Sequence, residues 1–339
     1  MKLTARRTWP AALALCCAAL CLAACAQQDT ETRHRFMAMG TLVEVAVYGV
    51  PPAEAEAAAQ EVEALFHTLH RAWQPQGDGE LGELNRALAA DPATPALSTD
   101  TDLGRLLAEA DRLASLTEGR FDPAIGALVQ LWGFSSAENS PTAPPPPAAI
   151  AAWLAERPLQ FDLGGFAKGV AVDRGIELLR ARGIEHAIVN AGGDLRAIGR
   201  KGERPWRIGI RAPRDAAGVM AALETAGDEA VFTSGDYERF FDYQGRHYHH
   251  ILDPRTGYPA AGLVSVTVLH TEAGMADAAA TALMVAGPEA WPELAAQLGL
   301  EAVMVVRADG AIELTPAMQS RIWFTDEAFG REARVRALP

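Results

Sequence analysis

The chain has 339 residues, 49% of them hydrophobic, and a formal net charge of −13 at pH 7. That length can bury a sizeable core in one large domain or two lobes, and the acidic balance argues against nucleic acid or a basic membrane-binding face as partner. All four cysteines (Cys16, Cys17, Cys21 and Cys25) lie near the N-terminus, so the rest of the chain has no thiol for a disulfide, a thiolate metal site or a nucleophile.

Lys2, Arg6 and Arg7 precede a small, apolar run over 11–24, too short to span a bilayer and suited to a signal peptide. It ends Leu22-Ala23-Ala24-Cys25, which resembles a bacterial lipobox. Residues 1–24 are therefore expected to be removed and Cys25 to carry lipid, holding the protein on the periplasmic face of a bacterial membrane, with the inner membrane favoured. Residues 25–33 read as a tether, 34–325 as the folded domain and 326–339 as a C-terminal tail.

Residues 42–48 form a β-like run entered through Met39-Gly40-Thr41. Met39 is soft enough to lie against a flat ring and equally suited to fill a core. Residues 53–73 have helical spacing, with Val62, Leu65, Phe66, Leu69 and Trp73 on one face. Trp73, at the helix end, either stacks on a ligand or caps the core. Gly77-Asp78-Gly79-Glu80-Leu81-Gly82 matches G-x-G-x-x-G. It follows a helix and carries two acidic residues, which argues against a dinucleotide site. Residues 98–116 are a second amphipathic helix, followed by Arg120-Phe121-Asp122-Pro123. Residues 135–149, with four prolines in a row, read as an extended loop.

Phe161-Asp162-Leu163-Gly164-Gly165-Phe166-Ala167-Lys168-Gly169 then leads into a helix that ends before Gly183. The glycines permit a tight turn and a close approach, and the start of a helix offers N–H groups to an anion such as phosphate. Strands follow at 187–189, 206–211 and 230–234, a hairpin tip at Gly245, a strand at 263–269, helices at 275–286 and 291–298, and a buried strand at 302–306. Helices and strands are interspersed without regular βαβ repetition, which favours an α+β fold.

Asp277 and Thr281, four apart on a helix, share a face and can direct two oxygens at one cation. Such hard ligands suit Mg²⁺; the structural alternative is a helix-start aspartate and a packed threonine. His247, His249 and His250 invite a zinc reading, but strand alternation separates His250 from the other two. His250 beside Asp253 is the better candidate general base, since an imidazole titrates near neutrality.

These motifs, with Asn190-Ala191-Gly192-Gly193-Asp194, Thr233-Ser234-Gly235-Asp236 and His250-Ile251-Leu252-Asp253-Pro254-Arg255-Thr256-Gly257, together resemble the ApbE family of bacterial FAD:protein FMN transferases, often periplasmic lipoproteins. The resemblance implies a T-fold-like α+β architecture with mixed and antiparallel sheets and packed helices. It implies Mg²⁺-dependent attack of a Thr or Ser hydroxyl on the FMN-side phosphorus of FAD, leaving AMP. Family acceptors include flavoprotein subunits of sodium-pumping NADH:quinone reductases and Rnf complexes. Carried over, Asp277 and Thr281 with the Gly165 backbone would hold Mg²⁺. Met39, Trp73, Arg120, Phe121, Asp122, Asp162, Lys168 and Ile251 would contact FAD. His250 would be the base or the residue that positions the acceptor, with Asp253 beside it. Ala280 stands where some relatives carry a second acidic ligand. The same site would also serve an Mg²⁺-dependent FAD pyrophosphatase, and a non-catalytic flavin-binding lipoprotein is the alternative from another class.

Overall fold

Alternating apolar residues build a long sheet whose central strands are buried on both faces. The computed structural model describes residues 30–95, 97–135, 141–215 and 218–339. Strands β1 (Glu31–Ala38) and β2 (Thr41–Tyr48) form a hairpin, followed by helices α1 (Pro52–Trp73), α2 (Glu80–Ala90), α3 (Asp102–Leu116), α4 (Gly126–Leu131), α5 (Pro147–Glu156) and α6 (Ala167–Ala181). A run of strands comes next: β3 (Ala187–Ala191), β4 (Asp194–Ile198), β5 (Arg207–Arg211), β6 (Val219–Glu224), β7 (Glu229–Gly235), β8 (Phe240–Tyr243), β9 (Arg246–His249) and β10 (Leu263–His270). Helix α7 (Ala273–Gln297) leads to β11 (Ala302–Arg307), β12 (Ile312–Leu314), α8 (Pro316–Gln319), β13 (Ile322–Phe324), α9 (Glu327–Glu332) and β14 (Ala333–Val335).

The nine-stranded sheet has the order β1-β2-β3-β4-β7-β10-β11-β12-β14. Its strands pair antiparallel except β12 with β14, which run parallel. Helices α1, α6 and α7 bury their apolar sides against it in the main core, around Phe66, Phe166, Phe232 and Trp291. A second cluster, including Trp206, Ile208 and Met304, joins the sheet to the three-stranded β13-β6-β5 sheet. Strand β10 therefore lies between two apolar layers and is buried over seven of its eight residues. A third cluster sets the two-stranded β8–β9 sheet on α4 and α5 through Phe241, Tyr248, Trp132 and Trp153. The architecture is α+β, as expected.

Several boundaries differ from expectation. The leader, Cys25 and residues up to 29 lie outside the described residues, but Glu31–Ala38 is a strand rather than tether. Its outer positions carry Arg33 and Arg35 while Phe36 and Ala38 face the core. Charge on an edge strand protects its open side and gives the segment the polar look of a linker. The tail is also part of the fold, since β14 pairs with β12. The proline-rich segment is shorter than its composition suggests: Pro147 occupies the first turn of α5, where its missing N–H costs nothing. Residues 136–140 of that segment lie outside the described residues. Helix α3 begins at Asp102, with the Thr101 hydroxyl accepting from the Gly104 N–H. The G-x-G-x-x-G stretch is a packing corner: a Cβ on Gly79 would sit 1.8 Å from the Arg71 carbonyl oxygen, and one on Gly82 1.9 Å from that of Gly77.

Candidate functional site

Two helices far apart in sequence cap each other, and the site grows from that contact. Asp173 on α6 accepts from the Ala273 and Gly274 N–H groups at the start of α7, both at 2.9 Å. In return, Asp277 Oδ2 on α7 accepts from the Gly169 N–H in the first turn of α6 at 2.9 Å. A carboxylate at a helix N-terminus satisfies an otherwise orphan donor and complements the dipole. The donor expected to face a phosphate at this turn is therefore taken, at Gly169, by a carboxylate. The crossing is close: a Cβ on Gly169 would lie 2.3 Å from the Ala273 carbonyl oxygen.

One turn along α7, Thr281 faces Gly165, where a Cβ would stand 3.0 Å from Thr281 Oγ1. Ser234 Oγ, from β7, lies 3.3 Å from the same oxygen. The Asp162–Gly169 stretch thus meets Asp277 and Thr281 as expected. Lys168 is paired with Asp194 at the start of β4, and Asp194 Oδ1 also accepts from the Thr233 N–H at 2.7 Å. Burial first, and then the Asp194 charge, push the Asp277 carboxyl up to about 7, although Lys168 and the Gly169 N–H favour its ionised form. Asp194 and Asp277 hold the Lys168 ammonium charged against the burial that disfavours it.

Asp162 is placed by its neighbours. Its N–H donates to the Pro123 carbonyl at 2.8 Å, and its Oδ1 accepts from the Gly164 N–H at 2.8 Å. Asn85, 6% exposed, clamps the preceding Phe161 by donating to its carbonyl and accepting from its N–H. Desolvation raises the Asp162 pKa.

His250 follows β9, level with Arg239 at the open end of the β8–β9 hairpin. Its N–H and its Nδ1 both point to the Arg239 carbonyl, at 3.0 and 3.2 Å. A carbonyl can only accept, so Nδ1 carries the proton and Nε2 keeps its lone pair. Burial, and then the Arg239 charge, hold its pKa well below the usual histidine range. The imidazole is thus a neutral base at physiological pH.

Several expected residues stand elsewhere. Asp253 does not orient His250. Both its carboxylate oxygens accept from the Arg255 guanidinium, at 2.9 Å each, and it braces the 253–257 turn. Trp73 is 4% exposed in the main core, with the Arg174 guanidinium 4.8 Å from its ring centroid. Phe121 and Ile251 are buried as well, Phe121 beside Phe166. These three side chains are part of the main core. Arg120 pairs with Glu118 at 2.6 Å, and Asp122 Oδ1 accepts from the Ala124 N–H, forming a turn. Met39 sits half-buried at the β1–β2 hairpin tip with φ 50°, a left-handed conformation that is unusual outside glycine. The three histidines do not converge: His247 bonds the Asp236 carbonyl, His249 the Ala260 carbonyl and His250 the Arg239 carbonyl.

Sequence reasoning gave no role to Asn85, Asp194, Ser234 or Arg239. Asp194 and Ser234 lay inside quoted motifs. Arg239 and Asn85 carried no signal, because each reaches the site through a contact distant in sequence.

The donors of Asp277 and Thr281 are oxygens, one of them a desolvated carboxylate whose charge a cation would offset. That set fits a hard divalent ion such as Mg²⁺. With the Lys168 ammonium, and His250 within its electrostatic reach, the arrangement defines a class: an α+β protein whose polar site can receive a cation and an anionic ligand. Comparison with known proteins agrees. The ApbE family profile matches residues 39–304, and the chain belongs to the ApbE family. It is 41% identical over 327 residues to a FAD:protein FMN transferase of Rhodobacter capsulatus, covering 91% of this chain and 62% of that protein's length. An ApbE protein from Thermotoga maritima superposes with a TM-score of 0.75 at 30% identity, covering 86% of this chain and 99% of that one. The flavin transferase ApbE of Vibrio cholerae gives 0.72 at 30% identity, with the same coverages.

Proposed function

We propose that this protein is an FAD:protein FMN transferase: it moves FMN from FAD to a Thr or Ser hydroxyl of another protein and releases AMP. The observation that carries the reading is the meeting of the Gly165–Gly169 turn with Asp277 and Thr281 in a chain of this family. Phosphoryl transfer needs positioning and charge neutralisation more than covalent help. Asp277, Thr281 and the Gly165 backbone would hold Mg²⁺, which when bound neutralises charge on the pyrophosphate oxygens. Lys168 adds a fixed positive charge beside the same oxygens, and Asp162 orients FAD. His250 Nε2 takes the proton from the acceptor hydroxyl as the oxygen–phosphorus bond forms and the bond to AMP breaks.

Purified protein is mixed with FAD, Mg²⁺ and a candidate acceptor subunit of the NADH:quinone reductase or Rnf type. An acceptor mass gain equal to FMN is expected. Release of FMN and AMP with unmodified acceptor would instead establish a pyrophosphatase, and intact FAD a flavin-binding protein. We further propose that Cys25 carries lipid and holds the protein at the periplasmic face of the inner membrane, a reading supported by the Leu22-Ala23-Ala24-Cys25 stretch. Among the described residues no helix is long and apolar enough to cross a membrane. Cys25→Ala should then move the protein from the membrane fraction to the soluble one; unchanged partition would remove the anchor.

A further inference from the structure

Arg239 stands out among the arginines around the site. Its neighbours are matched with carboxylates: Arg214 with Asp236 at 2.7 Å, Arg211 with Glu238 and Arg255 with Asp253 at 2.9 Å. Arg239 has no such partner. Among the described residues, no carboxylate oxygen comes within 4.0 Å of its guanidinium. Among the described residues its one side-chain hydrogen bond runs from Nη1 to the Phe134 carbonyl at 2.9 Å. That bond fixes the direction of the fork, and Asp162 and Glu238 act on its charge only from beyond ion-pair contact.

The position is specific. Arg239 and His250 face each other across the open end of the β8–β9 hairpin, joined by the backbone bond from the His250 N–H. The Phe134 ring stands edge-on to His250, with centroids 6.4 Å apart. Phe134 therefore holds both side chains, one through its carbonyl and the other through its ring. On the other side, Arg239 lies within electrostatic reach of Asp162, and His250 within reach of Lys168. Arg239 is exposed, so an incoming anion can meet it. A planar guanidinium presents paired N–H donors that match phosphate oxygens, and most other arginines in this region have spent theirs on aspartate or glutamate.

We propose that the Arg239 guanidinium contacts the pyrophosphate of the nucleotide on the side from which the acceptor hydroxyl attacks, and stabilises the charge that builds on the transferring phosphoryl group. This rests on the flavin-transfer reading for the identity of the nucleotide. In the step itself, the acceptor oxygen forms its bond to the FMN phosphorus. The phosphorus–oxygen bond to AMP breaks, its electron pair leaves with AMP, and the hydroxyl proton passes to His250 Nε2. Arg239 gains and loses no proton; its charge is matched best when negative charge is greatest, the condition for a contact that speeds the step. The backbone carbonyl that sets the His250 tautomer is a separate device and survives any change of the Arg239 side chain.

The test has two arms. In the first, wild-type protein is labelled with phenylglyoxal, and each arginine is followed by peptide mass spectrometry, with and without Mg²⁺–pyrophosphate. At ten times its dissociation constant this probe should slow labelling of Arg239 about tenfold, because only unliganded protein reacts. Arg207, on the three-stranded sheet and 71% exposed in its side chain, should label equally in both. Unchanged labelling of Arg239 overturns the proposal, whether or not the protein transfers flavin. In the second arm, Arg239→Gln should lower kcat by about 10²–10³-fold while FAD affinity, read by flavin fluorescence, changes far less. Arg239→Lys keeps a donor for the Phe134 carbonyl and should lose less of the rate. Wild-type kcat in both variants overturns the proposal; should Arg239→Gln fail to fold, the lysine variant and the labelling decide. Wild-type protein that transfers no flavin refutes the flavin reading instead, and the labelling still decides the anion contact.

Discussion

The two halves of the site stand on different foundations. Asp277, Thr281, Lys168 and Asp194 ride on α6, α7 and β4, elements that share the main core and its nine-stranded sheet. His250 and Arg239 hang at the base of a two-stranded hairpin that reaches the rest of the molecule through the third cluster. A two-stranded hairpin is marginal by itself; here Phe241 stacks on Tyr248 at 5.3 Å and both pack on Trp132. Asp277, Thr281, Lys168 and Asp194 are thus fixed by a large buried framework, and His250 and Arg239 by a small one. This division suits a reaction whose nucleotide is bound in place while its second substrate arrives as a protein.

The comparison can be broken most severely on the rigid side. Asp277→Ala removes both the α6 cap and the charged oxygen, and Mg²⁺-dependent turnover should fall about 10³-fold or more. A rate near wild type, measured as acceptor mass gain over time, would remove Asp277 from the site. On the hairpin side, His250→Ala should slow transfer about 10²–10⁴-fold with FAD binding preserved, since nothing in the main-sheet half depends on that ring. Equal loss of FAD affinity would show that the halves are not separable.

Trp132→Ala tests the small framework itself. Trp132 is 1% exposed and donates from its indole to the Gly257 carbonyl at 2.8 Å, so its loss should cost about 3–5 kcal/mol. Hydrogen exchange should rise first in β8, β9 and the 253–259 loop, with α6 and α7 still protected. Uniform exchange throughout would mean that the two regions unfold as one.

The smallest expected effect is a pH dependence. Asp277 binds its proton more tightly folded than unfolded, with a folded pKa of about 7. The metal-free protein therefore loses stability as pH rises from about 4 towards 7. Mg²⁺ competes with that proton, so its apparent affinity should rise about tenfold per pH unit up to 7 and then level off. Mg²⁺-induced shifts in melting temperature at pH 5.5, 6.5 and 7.5 measure this, and a flat response would contradict it. His250 has the opposite sign: its lowered folded pKa means that stability falls as pH drops below about 6.5, while the folded ring stays unprotonated just below that pH.

Much of the fold was legible because helical and strand periodicities record burial directly. Strands β2, β7, β10 and β11 and helices α1, α6 and α7 fall close to where the apolar pattern puts them. The pattern fails where polarity has another cause. Charged side chains on an edge strand made β1 look like a tether, and β14 gains its place by pairing with a strand 21 positions earlier. In the site, Asp277, Thr281, Lys168 and the glycines were readable as an ordered set of motifs. Asp253 read as a partner of His250 because the two are close in sequence, whereas in the fold its carboxylate pairs with Arg255.

By itself the sequence determined the α+β class, the chemistry-bearing motifs and their order. It did so because composition and periodicity are local properties written in each segment. Only the tertiary structure decided which motifs meet. The Gly169 N–H and the Asp277 carboxylate are 108 positions apart, and Phe134 and Arg239 are 105 apart. No local pattern encodes such contacts, which follow from how the helices cross on the sheet and where the hairpin rests. The same packing buried Trp73, Phe121 and Ile251 and left Arg239 exposed with no carboxylate in contact among the described residues, because burial is settled by what covers a side chain and not by its type.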